Sequence, residues 1–255
     1  MNHSRPIALL IFAALAGDFA FSQDAAVNVD PRPYGIDLAP GPVSPGKDQA
    51  VTTAGLEGQP PAVGRVHVRV GDGALILLPD GQLVPRKAGE FTPIDRPFDA
   101  ISQETLAKQL AAEFPGFKIK ATNHYLYVYT GSEEFQLGTS RILESMFAGL
   151  KTFAAAQKLP THDPATPLVV VMFKTDEEFQ KYRRMPEGIV AYYHILSNRV
   201  FLYEQSKLAQ VRPDLAIQQS ISTIAHEGAH QILHNIGVQQ RLSFWPMWLG
   251  EGLAE

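Results

Sequence analysis

The stretch His226-Glu227-Gly228-Ala229-His230 lies inside an apolar-rich run, Leu215 to Asn235, that contains no proline. The run reads as one helix. Pro213-Asp214 opens it, with proline suited to the first turn and an acid suited to the positive end of the dipole. Gly237 just after Ile236 stops it. On a helix, residues four apart share a face, with Cβ atoms about 5–6 Å apart. The imidazoles of His226 and His230 can therefore meet at one Zn²⁺, whose bonds to nitrogen are about 2.0–2.1 Å. Glu227, rotated one residue around the helix, can reach a water activated by that metal without ligating it. Taken alone, the five residues also fit an amphipathic helix whose histidines face solvent or a polar pocket.

The segment Trp245-Pro246-Met247-Trp248-Leu249-Gly250-Glu251-Gly252-Leu253-Ala254-Glu255 narrows the choice. It places proline at a plausible first helical position, and a carboxylate 21 residues after His230, far enough for a second helix to fold back on the first. An HExxH followed by a Trp-Leu-x-Glu-Gly-x-Ala run resembles the gluzincin metallopeptidases, the group of thermolysin and the aminopeptidase N relatives. It is also similar to a bacterial family of secreted, uncharacterised HExxH proteins. The specific motifs cover residues 226–255, with a looser similarity in element order from about residue 120.

The resemblance implies that Glu251 is the third metal ligand, with water as the fourth. It also implies that Glu255, one turn further on, orients His226 or His230 through a hydrogen bond. A solvated glutamate is the other reading of Glu255. In gluzincins a Tyr or His that steadies the oxyanion usually comes from sequence after the third ligand. The sequence stops at Glu255, so the expectation is a domain truncated at its C-terminus, or else Tyr192 or Tyr193 in that role.

Composition removes several alternatives. There is no cysteine, so disulfides, thiol catalysis and Cys-ligated zinc are excluded, and a metal must use His and carboxylate. A net charge of −4 gives no electrostatic case for nucleic acid. Residues 1–22 read as a secretory signal, with an apolar core over Ile7–Leu15 and small residues at Ala20 and Ser22 ahead of cleavage before Gln23. The apolar run stops at Gly17-Asp18, short of the roughly 20 residues of a span. The expected location is secreted or periplasmic, with no stable membrane span after cleavage.

The chain then divides into three parts. Residues 23–62, rich in proline and glycine, read as a linker. Residues 63–116 read as a small β-rich module: a meander from about 64 to 86 with turns at Gly71-Asp72-Gly73 and Pro79-Asp80-Gly81, then a helix capped by Ser102. Residues 117–255 read as the metallopeptidase domain. There, Phe117–Ala121 and Tyr125–Thr130 are strands, Phe135–Gln157 is a helix with an apolar stripe, and Leu168–Phe173 is a strand buried on both faces. Thr175-Asp176-Glu177-Glu178 opens a further helix, and Ile189–Leu196 with Arg199–Tyr203 forms a hairpin around Ser197-Asn198.

The expected fold class is α+β: a zincin-like mixed sheet with an active-site helix and a following glutamate helix, preceded by the small β-rich module. By resemblance, one hairpin strand is the edge on which an extended substrate pairs. His234 extends the four-residue spacing by one turn, past the metal, and reads as a polar residue near the helix C-terminus where positive charge is favourable. His67, His124 and His162 have no companion at ligand spacing.

The functional expectation is a secreted zinc-dependent peptidase acting on peptide or protein substrates. Its metal is Zn²⁺ on His226, His230 and Glu251, and its general base is Glu227. The alternative is a non-catalytic exported zincin-like binding or structural module, or an inactive truncated fragment.

Overall fold

The computed structural model of the chain describes residues 27–55, 60–242 and 247–255. The signal segment over 1–22 and the helix start at Pro246 lie outside the described residues. Among these, no helix is long and apolar enough to cross a membrane.

Two sheets organise the chain. The first is seven-stranded and antiparallel: β1 (Asn28–Val29), β2 (Gly41–Pro45), β3 (Ala50–Thr53), β4 (Ala62–Val70), β5 (Gly73–Leu77), β6 (Leu83–Arg86) and β7 (Phe91–Pro93). β4 is its axis. One edge of β4 pairs with β3 near its start and with β2 near its end, while β5 takes the other edge.

The linker expected over 23–62 is therefore corrected, because β1, β2 and β3 belong to the sheet. They escape sequence reading because two to five residues broken by Pro42 and Pro45 carry no usable alternation. Val51 nonetheless packs fully buried beside Val66 and Ile76.

The second sheet has the order β11–β12–β10–β9–β8, built from β8 (Lys118–Ala121), β9 (Tyr125–Tyr129), β10 (Leu168–Thr175), β11 (Ala191–His194) and β12 (Arg199–Gln205). β9, β10 and β12 run parallel, and the outer strands β8 and β11 are antiparallel to their neighbours. Alternation divides its side chains between two cores. Tyr125, Tyr127, Val170, Met172 and Leu202 face α2 (Glu133–Ala156) and α5 (Pro213–Asn235). Leu126, Val128, Val171, Phe173 and Phe201 face α1 (Gln103–Glu113) and α3 (Asp176–Tyr182).

Helix α1 thus belongs to the second sheet's core, so the boundary expected at 116/117 moves to the segment before α1. Two short helices complete the chain, α4 (Lys207–Val211) and α6 (Met247–Ala254).

Local chemistry sets the helix starts. The Ser102, Ser132 and Thr175 hydroxyls accept from the N–H groups of Thr105, Phe135 and Glu178, at 3.2, 3.1 and 3.3 Å. Asn198 takes φ +59° in the hairpin turn, a value that Asn tolerates better than most residues.

The two sheets are joined at the hairpin end. The Leu83 N–H donates to Leu196 O at 2.7 Å, and Leu196 and Leu242 pack against Ile36, Leu38, Val70 and Leu75. Arg241, buried, donates to Gly81 O and Ile195 O at 2.9 and 3.2 Å. The His67 ring Nε2 meets Arg241 O at 2.8 Å, so this histidine serves the joint.

Candidate metal centre

Helix α5 lies across one face of the second sheet. It can settle closely against α2 because Gly228 has no side chain: a Cβ there would fall 2.2 Å from Leu143 Cδ2. Uncharged amides fasten α5 to the strands. Gln231, fully buried, donates through Nε2 to Val169 O and Asn198 O at 3.1 and 2.7 Å. Asn235 and Asn198 exchange side-chain amide bonds at 2.7 and 2.8 Å. These residues are absent from the sequence-based site. Their signal, amides recurring at i and i+4 on an otherwise apolar helix face, is weak.

On the outward turn of α5, His226 and His230 bring their Nε2 atoms to 3.2 Å of each other. Helix α6 returns against α5, and Glu251 Oε2 stands 3.1 Å from His226 Nε2 and 3.4 Å from His230 Nε2. These three residues form a group that could hold a metal ion.

The spacing tests the fit. Tetrahedral ligands at about 2.0–2.1 Å from zinc lie roughly 3.3 Å apart, close to all three observed separations. Hydrogen bonding alone cannot satisfy the triangle. If both imidazoles donate to the carboxylate, the two Nε2–H groups oppose each other at 3.2 Å. A cation at the centre faces one lone pair from each residue.

Glu227 is placed differently from His226, His230 and Glu251. Its Oε2 accepts the main-chain N–H of Tyr193, on β11, at 2.7 Å. Burial raises the Glu227 carboxyl pKa, opposed by the Tyr193 N–H and the neighbouring His226. This contact also gives the edge geometry. The Tyr203 N–H bonds Val190 O, and Tyr192 pairs with Phe201, so the main-chain groups of Tyr192 and His194 turn toward β12. Those of Ala191 and Tyr193 turn outward, away from the sheet. Sequence reading found Glu227 but could not find its partner, because a main-chain N–H carries no residue signature.

The remaining expected residues divide. Glu255 Oε1 lies 3.7 Å from His226 Nδ1, beyond hydrogen-bond length, and its side chain is largely exposed. It stands near His226, not His230. The Tyr193 hydroxyl is committed to Asn198 Oδ1 at 2.9 Å, and Tyr192 packs on the opposite face of the sheet. Neither phenol stands at the metal centre.

His234 requires a correction. It is half-buried in the last turn of α5 with its ring stacked on Tyr193, and loss of solvent together with the nearby His230, Arg241 and His67 drives its pKa well down. The ring lies in the last turn of the helix as expected, and its lowered pKa favours the neutral form over the positive charge that a helix end would welcome. The helix dipole is outweighed by the loss of solvent. His230 is also shifted down, chiefly by burial, which favours the neutral form that a metal requires.

Residues 220–255 match the family described as "Protein of unknown function (DUF1570)". No curated protein and no solved structure matches the chain.

Proposed function

We propose that the chain is a zinc-dependent peptidase of gluzincin type, with His226, His230 and Glu251 holding the ion and Glu227 as general base. The observation that carries this reading is the near-equilateral triangle of Nε2, Nε2 and Oε2 atoms at 3.1 to 3.4 Å. The family matched at residues 220–255 is associated with zincin-like peptidases, which supports the same reading.

Zinc held there would supply Lewis acidity, lowering the pKa of a water at its open position toward about 7 and drawing charge from a peptide carbonyl. The protein's own part is proton handling. With Oε2 held by the Tyr193 N–H, Glu227 presents Oε1 to take a proton from the attacking water and return it to the leaving amine. Burial raises its pKa, which strengthens it as a base. A peptide substrate is favoured because the outward main-chain groups of Ala191 and the Tyr193 carbonyl border the same glutamate, which already holds the Tyr193 N–H, so an extended chain can pair beside it. The apolar segment Ile7–Leu15 would carry such an enzyme out of the cytoplasm.

The Tyr193–Glu227 bond also favours a second reading, in which Glu227 is a structural tether in a non-catalytic metal-binding module. Elemental analysis of the protein and of Glu251→Ala tests the site: about one zinc per chain is expected, with loss or strong weakening in the variant. Peptide-pool cleavage abolished by Glu227→Gln separates the readings, because glutamine can keep the bond to Tyr193 and cannot act as the base. Zinc-loaded protein inert on all pools would favour the module.

A further inference from the structure

A cavity of about 420 Å³ lies on the far side of β11 from the metal centre. Tyr192 and His194, which point away from α5, line it together with Ser197, Arg183, Arg199 and Glu113. Gln82, in the turn between β5 and β6, also lines it. Its chemistry is one-sided. Glu113, the single carboxylate in the lining, is engaged by both terminal nitrogens of Arg199, at 2.5 and 2.9 Å. Arg183 lies over the Tyr192 ring, 5.9 Å from its centroid, and has no carboxylate partner among the described residues.

His194 adds a donor. The Ser197 N–H points at its Nδ1 at 3.3 Å, which makes Nδ1 an acceptor and leaves the proton on Nε2. Burial, with Arg183 and Arg199 nearby, pushes its pKa down to about 4, so the ring is neutral in a positive field. With Arg199 and Glu113 cancelling, the lining carries one uncompensated positive charge and faces aromatic walls.

The position of the cavity gives it a partner. A chain pairing with the outward edge of β11 sends alternate side chains to opposite faces of the sheet. The residue beside Tyr193 projects toward α5. Its neighbours, beside Tyr192 and His194, project toward the cavity. We propose that this cavity is a specificity subsite that accepts an Asp or Glu side chain of an extended peptide lying along β11. The inference rests on the peptidase reading for its substrate, while the pocket's preference for a carboxylate stands on the lining alone.

The test uses the full chain as the Glu227→Gln variant, with binding read by calorimetry. The probes are blocked pentapeptides Ala-Ala-Xaa-Ala-Ala, with Xaa as Glu, Gln or Lys. Glu should bind about tenfold more tightly than Gln, the scale of one charge-assisted hydrogen bond. Arg183→Gln should erase that difference, and Arg183→Glu should invert it in favour of Lys. Arg183 is exposed beyond the end of α3, so both variants should fold.

Cleavage of the same peptides by the unmodified protein separates the two readings. Acid-selective, Arg183-dependent binding without cleavage keeps the subsite and sinks the peptidase. Cleavage with no acid preference keeps the peptidase and sinks the subsite. Equal binding of all three peptides, or selectivity unchanged by Arg183→Glu, overturns the inference.

Discussion

Gly228→Ala tests how the helix that carries the candidate metal centre is supported. Alanine normally favours a helix interior over glycine by about 0.8–1.0 kcal/mol. Here the new methyl would stand 2.2 Å from Leu143 Cδ2, where carbon contacts are ordinarily about 3.5–4.0 Å. Leu143 is fully buried among Phe147, Ile224 and Ile232, so its Cδ2 can retreat only by leaving its rotamer or by pushing α2 from α5. Such overpacking costs about 1–3 kcal/mol. The expected net effect is destabilisation by about 1–2 kcal/mol.

Leu143→Val removes the opposing atom at a cost on the order of 1 kcal/mol. In that background Gly228→Ala should become stabilising by roughly its helix-propensity gain. The coupling between the two sites is then about 2–3 kcal/mol. Urea denaturation of all four proteins, with chelator present so that metal binding does not contribute, measures it. A Gly228→Ala effect of the same sign and size in both backgrounds would refute the packing argument.

Two further outcomes concern the joint between the sheets. Burial lowers His67 from its ordinary 6.5 to about 4. Above pH 6.5 the ring is neutral in both folded and unfolded chains. As pH falls from about 6.5 to 4, the unfolded chain takes up the proton first and stability is lost, by up to about 3 kcal/mol from this group. His67→Gln should lessen the fall in urea midpoint between pH 7 and pH 4.5; an unchanged fall would place the acid sensitivity elsewhere, among the rings of His194, His230 and His234, which burial also lowers. Arg241→Met strips the donors from Gly81 O and Ile195 O, and should cost about 2 kcal/mol while speeding protease cleavage within residues 27–100. Unchanged cleavage would show that the joint is held mainly by Leu196 and Leu242.

What the sequence made legible follows the range of the forces involved. Helix α5 was visible from end to end because Pro213, the apolar spacing and Gly237 act within a few residues. β10 was visible because a strand covered on both faces needs an unbroken apolar run. His226 and His230 lie one turn apart on α5 and were found by spacing alone, whereas Glu251 needed a resemblance. The Tyr193 contact to Glu227, the neutrality of His234 and the lining of the second cavity all arise between segments distant in sequence. His194 and Arg199 were read as strand residues only, because nothing local brings Glu113 to Arg199 across 86 positions.

The fastening of α5 by Gln231, Asn235 and Asn198 involves no ionisable group. Neither salt nor moderate acid can loosen it, unlike a helix held by ion pairs. His226, Glu227 and His230 therefore keep their relation to β11 whether or not an ion is present. A zinc finger gains its fold from its metal; here the polypeptide supplies the geometry in advance. Loss of the ion would silence such a centre without unfolding it, and reloading would need no refolding.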